Sequence, residues 1–334
     1  MDLEKKEFIE AILEVIEEDS PDVLENLDVF AKIANDYLNV IGEILIDDAE
    51  IKYEKMEMKD TISYVREFLG TISSDYVKDF DKALVDGTFD IFLPEDDLIE
   101  RPDEPISTPK PFANINIPAS LTIEDGAVIV HEFFHFLNDI ENVDCSTREY
   151  FTELISIYYE IRYMQFLVNK GFDISNLYKA LYYRLDATFD SANNLVYSAG
   201  VLDVYNNAGK VTTKEVSFVN KFRKIYKGNI RNMVNYYKDD DQVIELEGFP
   251  LDLSYVISTL LTVMLLKEPE VSDIKVKYIN DNLYNFTFTD VLDNLNTKLE
   301  EYPIWINESA ILLSEVVGEI YEQIDMHSRS DWSR

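Results

Sequence analysis

Residues 130–136, Val130-His131-Glu132-Phe133-Phe134-His135-Phe136, decide how the rest of the chain is read. They lie in a run from Thr122 to Asn138 that has the pattern of a helix. Thr122, followed three positions later by Asp125, resembles a capping box, and Glu124 and Asp125 suit the positive end of a helix. The chain has three histidines, His131, His135 and His327, and two of them fall here, four residues apart. Such a pair shares one helix face, so both imidazoles can reach one metal ion. Glu132 stands beside them, where a carboxylate can hold a water on that ion and accept its proton. Val128, Ile129 and Phe134 form the apolar side of the same helix.

A catalytic zinc takes three protein ligands and leaves a fourth position open. A histidine six residues beyond His135 would complete one known pattern, but that position is Glu141. His327 stands in a polar tail. The third ligand is therefore expected to be a carboxylate, and the next helical run, Ser146 to Asn169, offers Glu149, Glu153 and Glu160. With Ser156 these make one polar stripe on a helix otherwise filled by Phe151, Leu154, Ile155, Tyr158 and Tyr159. Glu153 lies 18 residues after His135, which leaves room for a loop and an antiparallel second helix. It is the first choice, with Glu149 in reserve. A solvated acidic face is the plain alternative for the whole stripe.

Outward from these two runs, the chain of 334 residues is long enough to bury a substantial core without disulfides. Its single cysteine, Cys145, excludes an internal disulfide and any cysteine-cluster zinc site. Thirty basic against 65 acidic residues give a net charge of −35, which repels phosphate backbones and anionic lipid surfaces. Neither nucleic acid nor membrane is an expected partner; a basic peptide is. The longest strongly apolar stretch without charge, Leu253 to Leu266, is 14 residues, too short to span a bilayer. The N-terminal residues read as an amphipathic helix and not as an export signal, so a cytoplasmic location is expected.

The pattern over residues 1–90 is helical, with Phe8, Ile9, Ile12, Leu13 and Ile16 on one stripe and a new start at Ser20-Pro21 that runs to about Ile46. Further helices are expected over Met58–Leu69 and Ser74–Leu84. Six of the ten prolines then fall between Pro94 and Pro118. Within this Pro-rich loop, Phe89–Leu93 reads as a strand. Phe112–Ile117, with alternating polar and apolar residues bracketed by Pro111 and Pro118, reads as an edge strand. Beyond Asn169, helices are expected over 174–184, 187–206, 213–226, 229–237, 251–266 and 306–325, with a short hairpin across Ile274–Phe288. The expectation is one mainly helical domain over residues 1–334, with a small β element at the edge of the site.

The run Tyr150-Phe151-Thr152-Glu153-Leu154-Ile155-Ser156-Ile157-Tyr158-Tyr159-Glu160 resembles the second active-site helix of the thimet oligopeptidase and oligopeptidase F family. There H-E-x-x-H is paired with a later F-x-E-x-x-S-x-x-x-E. Phe151, Glu153, Ser156 and Glu160 match residue by residue. The resemblance covers about Phe112 to Phe166. It implies a helical zincin-like (gluzincin) fold with His131, His135 and Glu153 on Zn2+, and Glu132 as general base. It also implies Glu160 and Ser156 behind the ligands, Glu160 orienting a ligand histidine through its other ring nitrogen. Asn114, Ile115 and Asn116 would be the strand along which a peptide substrate lies. The family's downstream oxyanion-binding tyrosine is matched loosely by Tyr255, in Phe249-Pro250-Leu251-Asp252-Leu253-Ser254-Tyr255. The chain departs from the family in having Phe134 where glycine is usual, a shorter interval before Glu153, a smaller size, and no histidine between His135 and His327.

The function expected on these grounds is zinc-dependent hydrolysis of peptides in a helical cleft. The small size, the missing histidine and the acidity also fit a second reading, a zinc-containing protein of the same fold that binds peptides without cleaving them. Glu132 speaks for catalysis, because a purely structural zinc has no use for a base. In a third reading the motif is an accident on a core helix.

Overall fold

A computed structural model describes residues 27–45, 52–92, 106–107, 115–138, 146–206 and 249–331. It is predominantly helical: α1 (Leu27–Ile41), α2 (Met58–Ile72), α3 (Ser74–Val85), α4 (Glu124–Asn138), α5 (Ser146–Asn169), α6 (Ile174–Asn206), α7 (Phe249–Leu265), α8 (Pro269–Asn282), α9 (Phe288–Leu295) and α10 (Tyr302–Asp331). Three short strands, β1 (Phe89–Phe92), β2 (Ile106–Ser107) and β3 (Ile115–Pro118), stand between α3 and α4. The helices expected over 1–20, 213–226 and 229–237 lie outside the described residues. No helix among the described residues is long and apolar enough to cross a membrane.

The chain forms two compact units. One gathers residues 46–143, 152–184 and 315–334; the other gathers 1–45, 144–151 and 185–314. The first contains the sheet, α2, α3, α4, most of α5 and the start of α6. Helix α4 is its centre. Ile129, Val130, Phe133 and Phe134 are all fully buried, so α4 is covered on several faces rather than along one stripe. Phe133 meets Phe80 of α3 edge-on, with centroids 5.6 Å apart, and also packs near Phe89 of β1. Phe134, which stands where the resembled family has glycine, stacks on Tyr159 of α5 at 4.1 Å with the planes within 15°. The bulky ring is thus part of the α4–α5 packing.

The start of α4 is built differently from the expected capping box. The helix begins at Glu124, and Asp125 reaches backward. Its Oδ1 accepts from the backbone N–H of Ser120 (2.8 Å) and from Ser120 Oγ (2.6 Å), and its Oδ2 accepts from the N–H of Leu121 (2.8 Å). Leu121 needs this support, because its φ of 56° is left-handed, unusual for a side chain of its size. The Leu121 carbonyl accepts from Met56 N–H at 3.0 Å, and Ile123 N–H donates to the Glu54 carbonyl at 2.9 Å. Asn176 of α6 completes the fastening, its Oδ1 accepting from Glu54 N–H and its Nδ2 donating to the Glu54 carboxylate.

The sheet order is β1-β3-β2, with β1 parallel and β2 antiparallel to β3. This corrects the edge-strand reading of Phe112–Ile117. The strand spans Ile115–Pro118 and is the middle one. Pro118 is accommodated because it ends the strand, and the next donor to β1 is Ala119 N–H, which reaches the Phe92 carbonyl at 2.7 Å.

In the other unit, Phe30, Ile33, Tyr37, Leu38 and Ile41 form the buried stripe of α1. Phe288 packs against Phe30 and against Phe151 of α5. α7 is buried over most of its surface, and Thr188 Oγ1 of α6 donates to Thr259 Oγ1 at 2.8 Å to satisfy one of its polar groups. The hairpin expected over Ile274–Phe288 is instead α8, a one-turn 3-10 segment and α9. Asp281-Asn282, expected near a turn, ends α8 instead, and the buried set Val276, Ile279, Asn280 and Leu283 has helical spacing. Ile274 and Tyr278 point outward at 74% and 52% exposure. The two helices expected over 174–184 and 187–206 are one continuous α6.

Candidate metal centre

His131 and His135 lie about one turn apart on α4, and Glu153 lies about two turns into α5. Their three donor groups converge. The Nε2 atoms of His131 and His135 are 3.0 Å apart. Glu153 Oε1 is 3.3 Å from His135 Nε2, and Glu153 Oε2 is 3.5 Å from His131 Nε2. Four-coordinate zinc with bonds of about 2.1 Å places its ligand atoms about 3.4 Å from one another. Each observed separation is close to such an edge, with the two Glu153 oxygens facing one imidazole nitrogen each, and this buried group can bind a metal ion.

The chemistry of the donor set also asks for a cation. His131 Nδ1 is 2.9 Å from Glu160 Oε2, and an ionised carboxylate only accepts, so His131 carries its proton on Nδ1. Its Nε2 lone pair then faces His135 Nε2 and the Glu153 carboxylate. Glu153 Oε2 is buried without a hydrogen-bond partner. A buried carboxylate oxygen in that condition is costly unless a positive charge meets it. Burial works against the Glu153 anion, but His135 and then His131 outweigh it and bring its carboxyl down to about 2.

Behind this cluster stands a side chain that the motif reading did not include. Arg184 of α6 bonds Glu160 Oε2, the same oxygen that faces His131. Burial raises the Glu160 pKa, and the Arg184 charge with the His131 hydrogen bond brings it below the usual carboxylate range. Close by, Glu124 is pushed up to about 7 by burial first and by the charges of Asp125 and Glu160, with Arg184 opposing. The sequence signal for Arg184 was a lone arginine in the apolar run Leu181-Tyr182-Tyr183-Arg184-Leu185.

Glu132 follows His131 on α4 and is largely buried, at 9% exposure. Ser156 is fully buried, and its hydroxyl has no hydrogen-bond partner, so it bonds none of His131, His135 and Glu153. Ile115 is buried in β3, Asn116 belongs to the same strand, and Asn114 lies outside the described residues. The sheet's outer strands are β1 and β2, so Ile115 and Asn116 have strands on both sides. Tyr255 is half-buried on α7, in the unit that does not contain the histidines. The side chain of Glu149 is outside the described residues.

No family model matches the chain, and no curated protein matches its sequence. Among solved structures, it is similar to a protein from Chlamydophila abortus assigned as a peptidase. The TM-score is 0.55 at 13% identity, over 91% of this chain and 57% of that one. A protein from Bacillus anthracis str. Ames assigned as an oligoendopeptidase F aligns with a TM-score of 0.46 at 14% identity, over 93% of this chain and 56% of that one. The chain therefore spans a little more than half the length of each. The likeness to the first establishes a shared, mostly helical peptidase-like fold.

Proposed function

We propose that this protein is a zinc metallopeptidase of the gluzincin type, with His131, His135 and Glu153 as ligands and Glu132 as general base. The observation that carries this reading is the convergence of two imidazole nitrogens of α4 and a buried, unsatisfied carboxylate of α5, with Glu132 next in sequence to His131. When bound, zinc supplies a Lewis acid that polarises a peptide carbonyl and brings the pKa of water at its open position to about 7.

The protein's own part is to place charge and move one proton. Glu132 takes the proton from the attacking water and returns it to the leaving amine, which splits an amide without releasing a strong base. Glu160 fixes the His131 ring so that Nε2 faces the ligand cluster. A phenol is the proposed donor to the developing oxyanion, and Tyr255 is the candidate carried by the family resemblance.

The test combines metal content with cleavage of a quenched-peptide library. The wild-type protein is expected to hold one zinc per chain and to cleave. Glu132→Gln should keep the zinc and lose at least about a hundredfold in rate, as removal of a general base does. Glu153→Ala should lose the zinc. Tyr255→Phe should lower the rate about a hundredfold with zinc retained. Zinc without any turnover would replace the peptidase by a peptide-binding protein of the same fold. A wild-type protein that takes up no zinc would sink both.

A further inference from the structure

Arg184 lies outside the family motif, and nothing in the peptidase reading requires it. The geometry points to Arg184 as a positioning residue for the metal centre, acting through Glu160 on the orientation and tautomer of His131. The inference rests on reading His131, His135 and Glu153 as metal ligands, but not on the protein being a peptidase.

Glu160 Oε2 is shared: His131 Nδ1–H donates to it at 2.9 Å, and an Arg184 guanidinium N–H reaches the same oxygen. One carboxylate oxygen is thus held between a ring and a cation on three different helices, α4, α5 and α6. The Glu160 and Arg184 side chains are only 8% and 15% exposed, so water screens the pair little. A carboxylate on a three-bond stem has several rotamers available. The His131 hydrogen bond alone does not choose among them, because the ring can turn with the carboxylate. Arg184 comes from a separate helix and gives Glu160 a second, independent anchor. With Oε2 fixed, the His131 ring plane is fixed, and its Nε2 is left unprotonated and aimed at His135 and Glu153. Partners of this kind behind a metal ligand are worth about 10–100-fold in metal affinity.

The experiment uses the full-length protein stripped of metal. Zinc affinity is measured by chelator competition for wild type, Arg184→Met, Arg184→Lys, Glu160→Gln and the double variant Arg184→Met/Glu160→Gln. In parallel, 15N-labelled imidazole spectra of the metal-free protein report which nitrogen of His131 holds the proton. The chain has three histidines, so the signals can be assigned by substitution. Arg184→Met is expected to weaken zinc about 10–100-fold and to erode the Nδ1–H tautomer. Arg184→Lys, which returns a cation to the position, should recover most of both. In the Glu160→Gln background Arg184→Met should add little, because residues acting through one another are not additive. The inference is overturned if Arg184→Met binds zinc as wild type does with the His131 tautomer unchanged. It is equally overturned if Arg184→Met costs as much without Glu160 as with it, which would mean general damage to the fold. Failure of peptide cleavage would touch only the peptidase reading. If the wild type binds no zinc, the tautomer comparison in the metal-free protein still decides whether Arg184 acts on His131.

Discussion

Gly126 carries no side chain because Tyr163 occupies the space one would fill. A Cβ built at Gly126 would lie 2.2 Å from the Tyr163 hydroxyl and 2.6 Å from two of its ring carbons. The hydroxyl is buried and makes no hydrogen bond. Gly126→Ala should therefore destabilise the protein by about 1–3 kcal/mol through overpacking. Tyr163→Phe should be neutral or mildly stabilising, since it removes a polar atom that folding leaves unsatisfied. In the phenylalanine background the alanine penalty should shrink without vanishing, because the ring carbons remain. Urea midpoints of the four proteins test this, and a Gly126→Ala protein as stable as wild type would refute the close approach. The pairing of His131 with His135 was legible at this scale because histidine is scarce in the chain and their spacing is the helix repeat. Arg184 was not: its partner is 24 residues away and on another helix, a pairing that no spacing rule reports.

At the scale of the element, α4 depends on the carboxylate that begins it. Asp125 is almost fully buried, and it satisfies two backbone donors and a hydroxyl around the left-handed Leu121. Removing it leaves those donors without their anion just where the chain turns into the helix that carries His131 and His135. Asp125→Ala is expected to cost about 2–3 kcal/mol, as loss of charge-assisted hydrogen bonds does. Asp125→Asn, which keeps the shape, should cost less. Chemical denaturation of both variants measures it, and equal stability of Asp125→Ala and wild type would rule it out. The helices α2, α3, α4 and α5 were readable to within a few residues because each announces itself by period and by starting chemistry. The start of α4 was expected two residues early, at Thr122, because Asp125 was read as one half of a reciprocal cap, and it serves the turn before the helix instead. β3 was misjudged because prolines at both ends resemble an edge strand, while β2, the neighbour on its second side, is only two residues long and lies within the Pro-rich stretch. α8 was misjudged because Asp281-Asn282 resembles a hairpin turn, while the helical buried set includes the polar Asn280.

For the whole molecule the dominant quantity is a net charge of −35. Such a field concentrates cationic peptides near the surface and accelerates their capture, and salt screens it over about 8–10 Å at ordinary ionic strength. If basic peptides are the substrates, kcat/KM for a lysine-rich peptide should fall several-fold between about 20 mM and 300 mM salt. A neutral peptide of equal length should change little. Steady-state rates on the two peptides across the salt series test this, and equal salt responses would remove the charge preference. The mainly helical character of the molecule followed from periodicity alone. Its division into two units did not, because each is assembled from separated stretches of the chain.

That interleaving also orders events in time. The two histidines belong to the stretch 46–143, Glu153, Glu160 and Arg184 to the stretch 152–184, and the octet 144–151 between them is placed in the other unit. Proteins emerge from the ribosome N-terminus first. A nascent chain exposed as far as Asn138 therefore presents both imidazoles with no carboxylate from α5 to complete them. Glu153 arrives next, then Glu160, and Arg184 last. The three residues that could hold a metal are thus together only once α5 has emerged, and the Arg184 contact to Glu160 is added after α6 has begun.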